Sequence, residues 1–121
     1  MSLSENLQKI QNKIETAAIS AHRHPENIQL VAVSKTVAGE TIRAMHALGQ
    51  FDFGENRPQA LRDKARELAD LSIRWHYIGP LQTNKIKYVY PVAALVHSID
   101  RRELLHEFIA WHQKTGRKCP L

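Results

Sequence analysis

Short apolar runs alternate four times with amphipathic stretches along this chain, and that alternation limits the fold more than any other feature. The runs Ile28–Thr36, Phe51–Phe53, Ile73–Ile78 and Val92–Ser98 are rich in β-branched and aromatic residues, as strands are. After the first, residues 40–48 place Ile42, Met45 and Leu48 on one helical face, with Gly49 where a C-terminal cap belongs. The second run ends in Gly54-Glu55-Asn56 and leads into a charged helix over residues 58–71, with Pro58 suited to its first turn. Glu55 and Asn56 read there as a turn, with Asn56 as N-cap. The third ends in Gly79-Pro80 and precedes a short helical stretch, Thr83–Tyr90, stopped by Pro91. The fourth precedes a helix with Asp100 as N-cap, an apolar face of Leu104, Leu105, Phe108 and Ile109, and Gly116 at its end. Cys119-Pro-Leu121 has the character of the first residues of a fifth strand. Ahead of all this, Ser2 and Glu5 have capping-box spacing, and Leu3, Leu7, Ile10, Ile14 and Ala17 carry a helix to about Ser20.

Strands of this length alternating with helices demand a parallel sheet joined by right-handed crossovers, either open and doubly wound or closed as a (β/α)8 barrel. A barrel takes about 250 residues, and this chain has 121. Half a barrel leaves two sheet edges unpaired. The alternatives are a fragment, an open sheet, or two copies pairing their edges.

Both architectures gather functional groups at the carboxyl ends of the strands. The ends here are Ser34-Lys35-Thr36, Gly54-Glu55-Asn56, His76-Tyr-Ile-Gly79 and His97-Ser98, which together form one rim. Lys35 is the residue to explain. Period-two alternation puts it on one face with Val31 and Val33, with Leu30, Ala32 and Ser34 on the other. If that face is interior, burial favours the neutral amine that attacks aldehydes; otherwise Lys35 is a lysine leaving its strand for water.

Other classes of chemistry have little support. Neither a dinucleotide fingerprint nor a P-loop is present. The seven histidines show no zinc spacing, and only His76 and His97 reach the rim, where His76 reads as a hydrogen-bonding or stacking partner or as a satisfied strand histidine. Trp75 and Tyr77 read as packing between sheet and helices, and the basic stretch Gln82–Lys87 as a solvated helix face or an attractor of anions. The excess of 17 Lys and Arg over 12 Asp and Glu is spread along the chain, so nucleic acid is not indicated as a partner. A single cysteine, Cys119, excludes an internal disulfide framework and fits a reducing compartment. The amphipathic N-terminus has no signal-peptide character, and no apolar run approaches the roughly 20 residues of a membrane span. A cytoplasmic protein is expected.

Four co-linear motifs, Val31-Ala-Val-Ser-Lys-Thr36, Phe53-Gly-Glu-Asn-Arg57 with Gln59, Trp75-His-Tyr-Ile-Gly-Pro-Leu-Gln82 with Asn84-Lys85, and His97-Ser-Ile-Asp-Arg101, resemble the YggS/PROSC family of pyridoxal-phosphate-binding proteins. That family is similar to the N-terminal barrel of alanine racemase and is associated with vitamin B6 homeostasis rather than catalytic turnover. The resemblance implies an α/β fold, half of a (β/α)8 TIM-type barrel with about four parallel strands and an extra N-terminal helix. Residues 1–121 would be one domain, the N-terminal half of the barrel. It implies pyridoxal 5'-phosphate as cofactor, Lys35 as its Schiff-base lysine, and Asn56, His76, Gly79 and Ser98 lining the same mouth. Pro58 departs from the branched or aromatic residue expected after Glu-Asn-Arg, and the family's phosphate-gripping loops belong to later strands. The competing readings are a pyridoxal-phosphate enzyme such as an amino-acid racemase, which needs a second acid/base group, and an assembly module whose sheet edges self-associate or meet a complementing half-barrel.

Overall fold

The computed structural model describes residues 2–121. Helix α1 (Leu3–Ser20) is followed by β1 (Ala32–Val33), α2 (Gly39–Ala47), β2 (Asp52–Glu55), α3 (Pro58–Glu67), β3 (Arg74–Tyr77), α4 (Ile86–Val89), β4 (Leu95–Val96) and α5 (Arg102–Thr115). The strands form one sheet in the order β1-β2-β3-β4, every pair parallel. A doubly wound sheet reverses its order at a switch point. This sheet does not, and its sequential winding is that of half a (β/α)8 barrel.

Right-handed crossovers in one direction put the helices on one side of the sheet. Register then sorts the strand residues into two faces. Ala32, Phe53 and Trp75 pair in one row, and Tyr77 with Glu55 and Val96 in the next. Phe53, Trp75, Tyr77 and Val96 are buried there with Ile42 of α2, Leu61 of α3, Ile86 and Val89 of α4, and Leu104 and Phe108 of α5. The opposite face carries Val33, Gly54, His76 and Leu95 in one row, and no helix among the described residues covers it: Val33 is 52% exposed. The expected outward packing of Trp75 and Tyr77 is thus observed.

Element boundaries depart from the sequence pattern where side chains compete with the ladder. β1 keeps two residues of the expected nine because the chain before it turns through a 3-10 segment, Pro25–Asn27, and the Gln50 side chain takes the Leu30 carbonyl at 2.8 Å. β2 runs on to include Glu55, which is buried in the sheet rather than part of a turn, so Asn56 is not the N-cap of α3; Arg57 is, with no side-chain cap bond. Likewise Arg101, not Asp100, precedes α5, and Asp100 pairs with the Arg101 guanidinium at 2.9 Å. Leu105 and Ile109 of α5 stay 40% and 47% exposed, so its buried stripe is narrower than the apolar pattern. On α1 the Ser2 cap forms, its Oγ accepting from the Glu5 N–H at 3.1 Å. Gly49 and Gly116 both take positive φ just past their helices, as C-terminal glycines do. At the chain's end, the Pro120 carbonyl accepts from Val96 N–H at 2.9 Å, so this segment lies along β4 as a nascent fifth strand would.

One glycine is required by packing. A Cβ on Gly79, just beyond β3, would stand 2.2 Å from the Asn56 backbone oxygen. Gly79→Ala is therefore expected to destabilise the protein by about 1–3 kcal/mol, the cost of overpacking against backbone that cannot yield. An unchanged midpoint in urea denaturation would refute this close approach.

Candidate functional site

The carboxyl end of β1 breaks into a turn centred on Lys35-Thr36, in which Thr36 and Val37 N–H groups both donate to the Ser34 carbonyl at 3.0 Å. Lys35 leaves this turn exposed, and takes part in none of the ion pairs or side-chain hydrogen bonds among the described residues. The interior face that Lys35 would share with Val31 and Val33 is not formed, and Val33 is itself exposed. Lys35 shares a cleft of about 660 Å³ with Thr36, Val37, Ala38, Asn56, Arg57 and Lys64.

Asn56 is half-buried at the end of β2. Its carbonyl lies 3.2 Å from the Tyr77 hydroxyl and packs against Gly79, while Ser98 Oγ donates to the Gly79 carbonyl. Asn56, Gly79 and Ser98 are thereby joined across three strand ends. The first borders the Lys35 cleft; Gly79 and Ser98 do not line it.

His76 lies one row deeper on the open face and is only 3% exposed. Its Nε2 is 3.0 Å from Asp52 Oδ1 and its Nδ1 is 3.0 Å from His97 Nε2. An ionised carboxylate only accepts, so the His76 Nε2–H donates to Asp52, and a hydrogen bond joins His76 Nδ1 to His97 Nε2. Burial, and then the neighbouring His76, hold His97 below the ordinary imidazole value.

Asp52 anchors this series. Burial pushes its pKa up, but hydrogen bonds from Arg74, His76 and Gln29 outweigh that and bring it to about 2. Arg74 reaches both oxygens, Nε at 2.9 Å and Nη2 at 2.7 Å, and Gln29 Nε2 donates at 2.6 Å.

On the helix-covered face a second buried acid, Glu55, is 1% exposed. Its Oε2 accepts from Lys64 Nζ at 2.9 Å and from Ser34 Oγ, and Lys64 also donates to the Ser34 carbonyl. Oε1 is buried without a hydrogen-bond partner. Sequence reasoning singled out neither Lys64 nor Asp52. The available signal was the charge pattern of Asp52-Phe-Gly-Glu55: acids inside a strand require buried partners. No cluster of three or more metal-ligating side chains occurs among the described residues.

A parallel sheet in barrel order, with an exposed lysine and hydrogen-bonding groups at its carboxyl ends, defines the class as half of a (β/α)8 barrel. No family model matches the sequence. The chain is 43% identical over 102 residues to a pyridoxal phosphate homeostasis protein of Pseudomonas aeruginosa, covering 84% of this chain and 44% of that protein. It is 40% identical over 107 residues to the protein of that name in Aquifex aeolicus, covering 88% and 47%. The structure of PipY from Synechococcus elongatus with pyridoxal phosphate bound superposes with a TM-score of 0.74 at 36% identity, covering 86% of this chain and 50% of PipY. The chain is thus similar to proteins named for pyridoxal phosphate homeostasis, and it spans about half the length of the curated relatives it matches.

The low Asp52 pKa has a consequence for stability. A carboxyl whose folded value lies below its unfolded value contributes stability that is fully present above the unfolded value, 3.8, and is lost as pH falls through about 2. The contribution is about 2 kcal/mol at neutral pH. Asp52→Asn is expected to lower stability by about that amount at pH 7 and to flatten the acid limb of the stability profile; parallel wild-type and variant profiles down to about pH 2 would contradict it.

Proposed function

We propose that this chain is a pyridoxal-5'-phosphate-binding half-barrel of the vitamin B6 homeostasis type, a single domain that holds the cofactor through Lys35. The observation that carries this reading is an amine without a partner at the carboxyl end of β1, beside the half-buried Asn56. Support comes from relatives named for pyridoxal phosphate homeostasis and from a related structure with that cofactor bound. When bound, pyridoxal phosphate supplies an aldehyde for covalent linkage to an amine and an electron-withdrawing ring. The residues present suit such a group: Lys35 offers its amine, the Asn56 amide lies free at the mouth, and Gly79 keeps the backbone beneath Asn56 close. Ser98, through the Gly79 carbonyl, and His76, through Asp52 and His97, hold the strand ends and the row below.

Carriage of the cofactor is preferred over turnover because the relatives are named for homeostasis. A racemase requires a second acid/base group opposite the lysine, and among the described residues no tyrosine lines the Lys35 cleft. Tyr77, pushed up to about 12 by burial, donates to the Pro80 carbonyl at 2.6 Å, and Tyr90 donates to the Arg117 carbonyl. The lone cysteine supports a cytoplasmic setting, and no helix is long and apolar enough to cross a membrane among the described residues.

Incubation of the chain with pyridoxal phosphate, borohydride reduction and peptide mass mapping is expected to give a stable adduct at Lys35, absent in Lys35→Met. A colourless protein with no trapped adduct would overturn the reading. Association belongs to the same proposal: a second copy adding four strands would cover the open face where Val33 is 52% exposed. Light scattering is expected to show a dimer at micromolar concentration; a folded, strictly monomeric chain would exclude it.

A further inference from the structure

We propose that Lys64 is a positioning residue for Lys35, acting through Ser34 and Glu55; the inference rests on the reading of Lys35 as the attachment lysine. Lys35 is the first inner residue of the turn that ends β1, and that turn is closed on one atom, the Ser34 carbonyl oxygen, by the N–H groups of Thr36 and Val37. The same oxygen receives the Lys64 ammonium from α3. Ser34 is also held at its other polar groups. Its N–H donates to the Gly54 carbonyl at 2.9 Å, and its hydroxyl lies 3.2 Å from that carbonyl and within hydrogen-bond reach of Glu55 Oε2. Glu55 is in turn paired with Lys64 at 2.9 Å.

The Ser34–Lys35 peptide is therefore fixed by two neighbouring elements, β2 through Gly54 and Glu55 and α3 through Lys64. Such fixation is needed because the β1–β2 ladder pairs only Ala32 and Val33, and ends before the lysine. A four-methylene side chain launched from a loose turn would sample many positions. A charge-assisted bond to the carbonyl that closes the turn sets the direction in which the chain leaves it. A buried glutamate with one unpartnered oxygen is a costly residue for a plain structural role. Holding Lys64 against Ser34 gives it a function at the mouth.

The test compares wild type with Lys64→Met, Lys64→Arg and Ser34→Ala. Two readouts are used: the yield of borohydride-trapped adduct at Lys35, and the acetylation of Lys35 relative to the exposed Lys87 by limiting acetic anhydride, which needs no cofactor. A merely structural residue would lower the melting temperature and leave both ratios unchanged in the folded protein. The expected result is a roughly tenfold loss of Lys35 adduct in Lys64→Met, the scale of effect that misplaced reacting groups produce, a smaller loss in Ser34→Ala, and recovery in Lys64→Arg, which retains donors for both acceptors. The acetylation ratio is expected to shift in the same order. Should Lys64→Met fail to fold, Ser34→Ala decides. Unchanged adduct yield and acetylation ratio in the folded variants would overturn the positioning role. Absence of any adduct in wild type would instead overturn the attachment reading, and the acetylation ratios would still judge the clamp.

Discussion

Pairing each strand in parallel with its sequence neighbour determines most of this molecule's architecture. Right-handed crossovers then have one side of the sheet available, so α2–α5 collect there and leave the other side bare. Alternation along each strand turns that asymmetry into chemistry. Side chains at Phe53, Trp75, Tyr77 and Val96 become core, and those at Val33, His76 and His97 fall on the opposite face, where His76 is buried and the other two are exposed. The row containing Gly54 shows how tightly this is set: a Cβ there would meet Val31 and Ile78 side chains at 3.2 Å, between the strands that flank it.

Two carboxylates break the apolar pattern of β2, one on each face, and they are handled differently. Asp52, on the open face, has three donor residues converging on its two oxygens, which is why it ionises more readily than an exposed aspartate despite its burial. Glu55, on the covered face, uses one oxygen for Ser34 and Lys64 and leaves the other without a partner. The first arrangement links Asp52 through His76 to His97. The second ties the turn bearing Lys35 to a helix whose amphipathic face is otherwise ordinary.

Sequence periodicity made the four βα repeats, their parallel pairing and the outward faces of Trp75 and Tyr77 legible, because each rests on local pattern alone. It misjudged Asn56 and Asp100 as caps, since capping propensity ignores where the preceding strand stops: β2 runs through Glu55, and Asp100 is drawn to its neighbour Arg101. The length of β1 was overstated for a related reason, a side chain, Gln50, competing for the Leu30 carbonyl from twenty residues away. Lys64 was invisible because its partners, Ser34 and Glu55, are distant in sequence and meet it only once the sheet has formed. Of the proposed mouth residues, Asn56, Gly79 and Ser98 are brought together in space, and His76 lies a row below them.

The bare face and the exposed lysine bear on each other. The exposed Lys35 lies by alternation on the same side of the sheet as Val33, so water can be excluded from it only by groups placed over the sheet's open side. Helices cannot supply them, since the crossover handedness has committed every helix after β1 to the far side. Further strands closing the curve of the sheet can, and the relatives, about twice as long as this chain, have length enough for them. On the cofactor-binding reading, attachment at Lys35 and coverage of Val33 and His97 are therefore one requirement: whatever closes the barrel over the valine also encloses the amine.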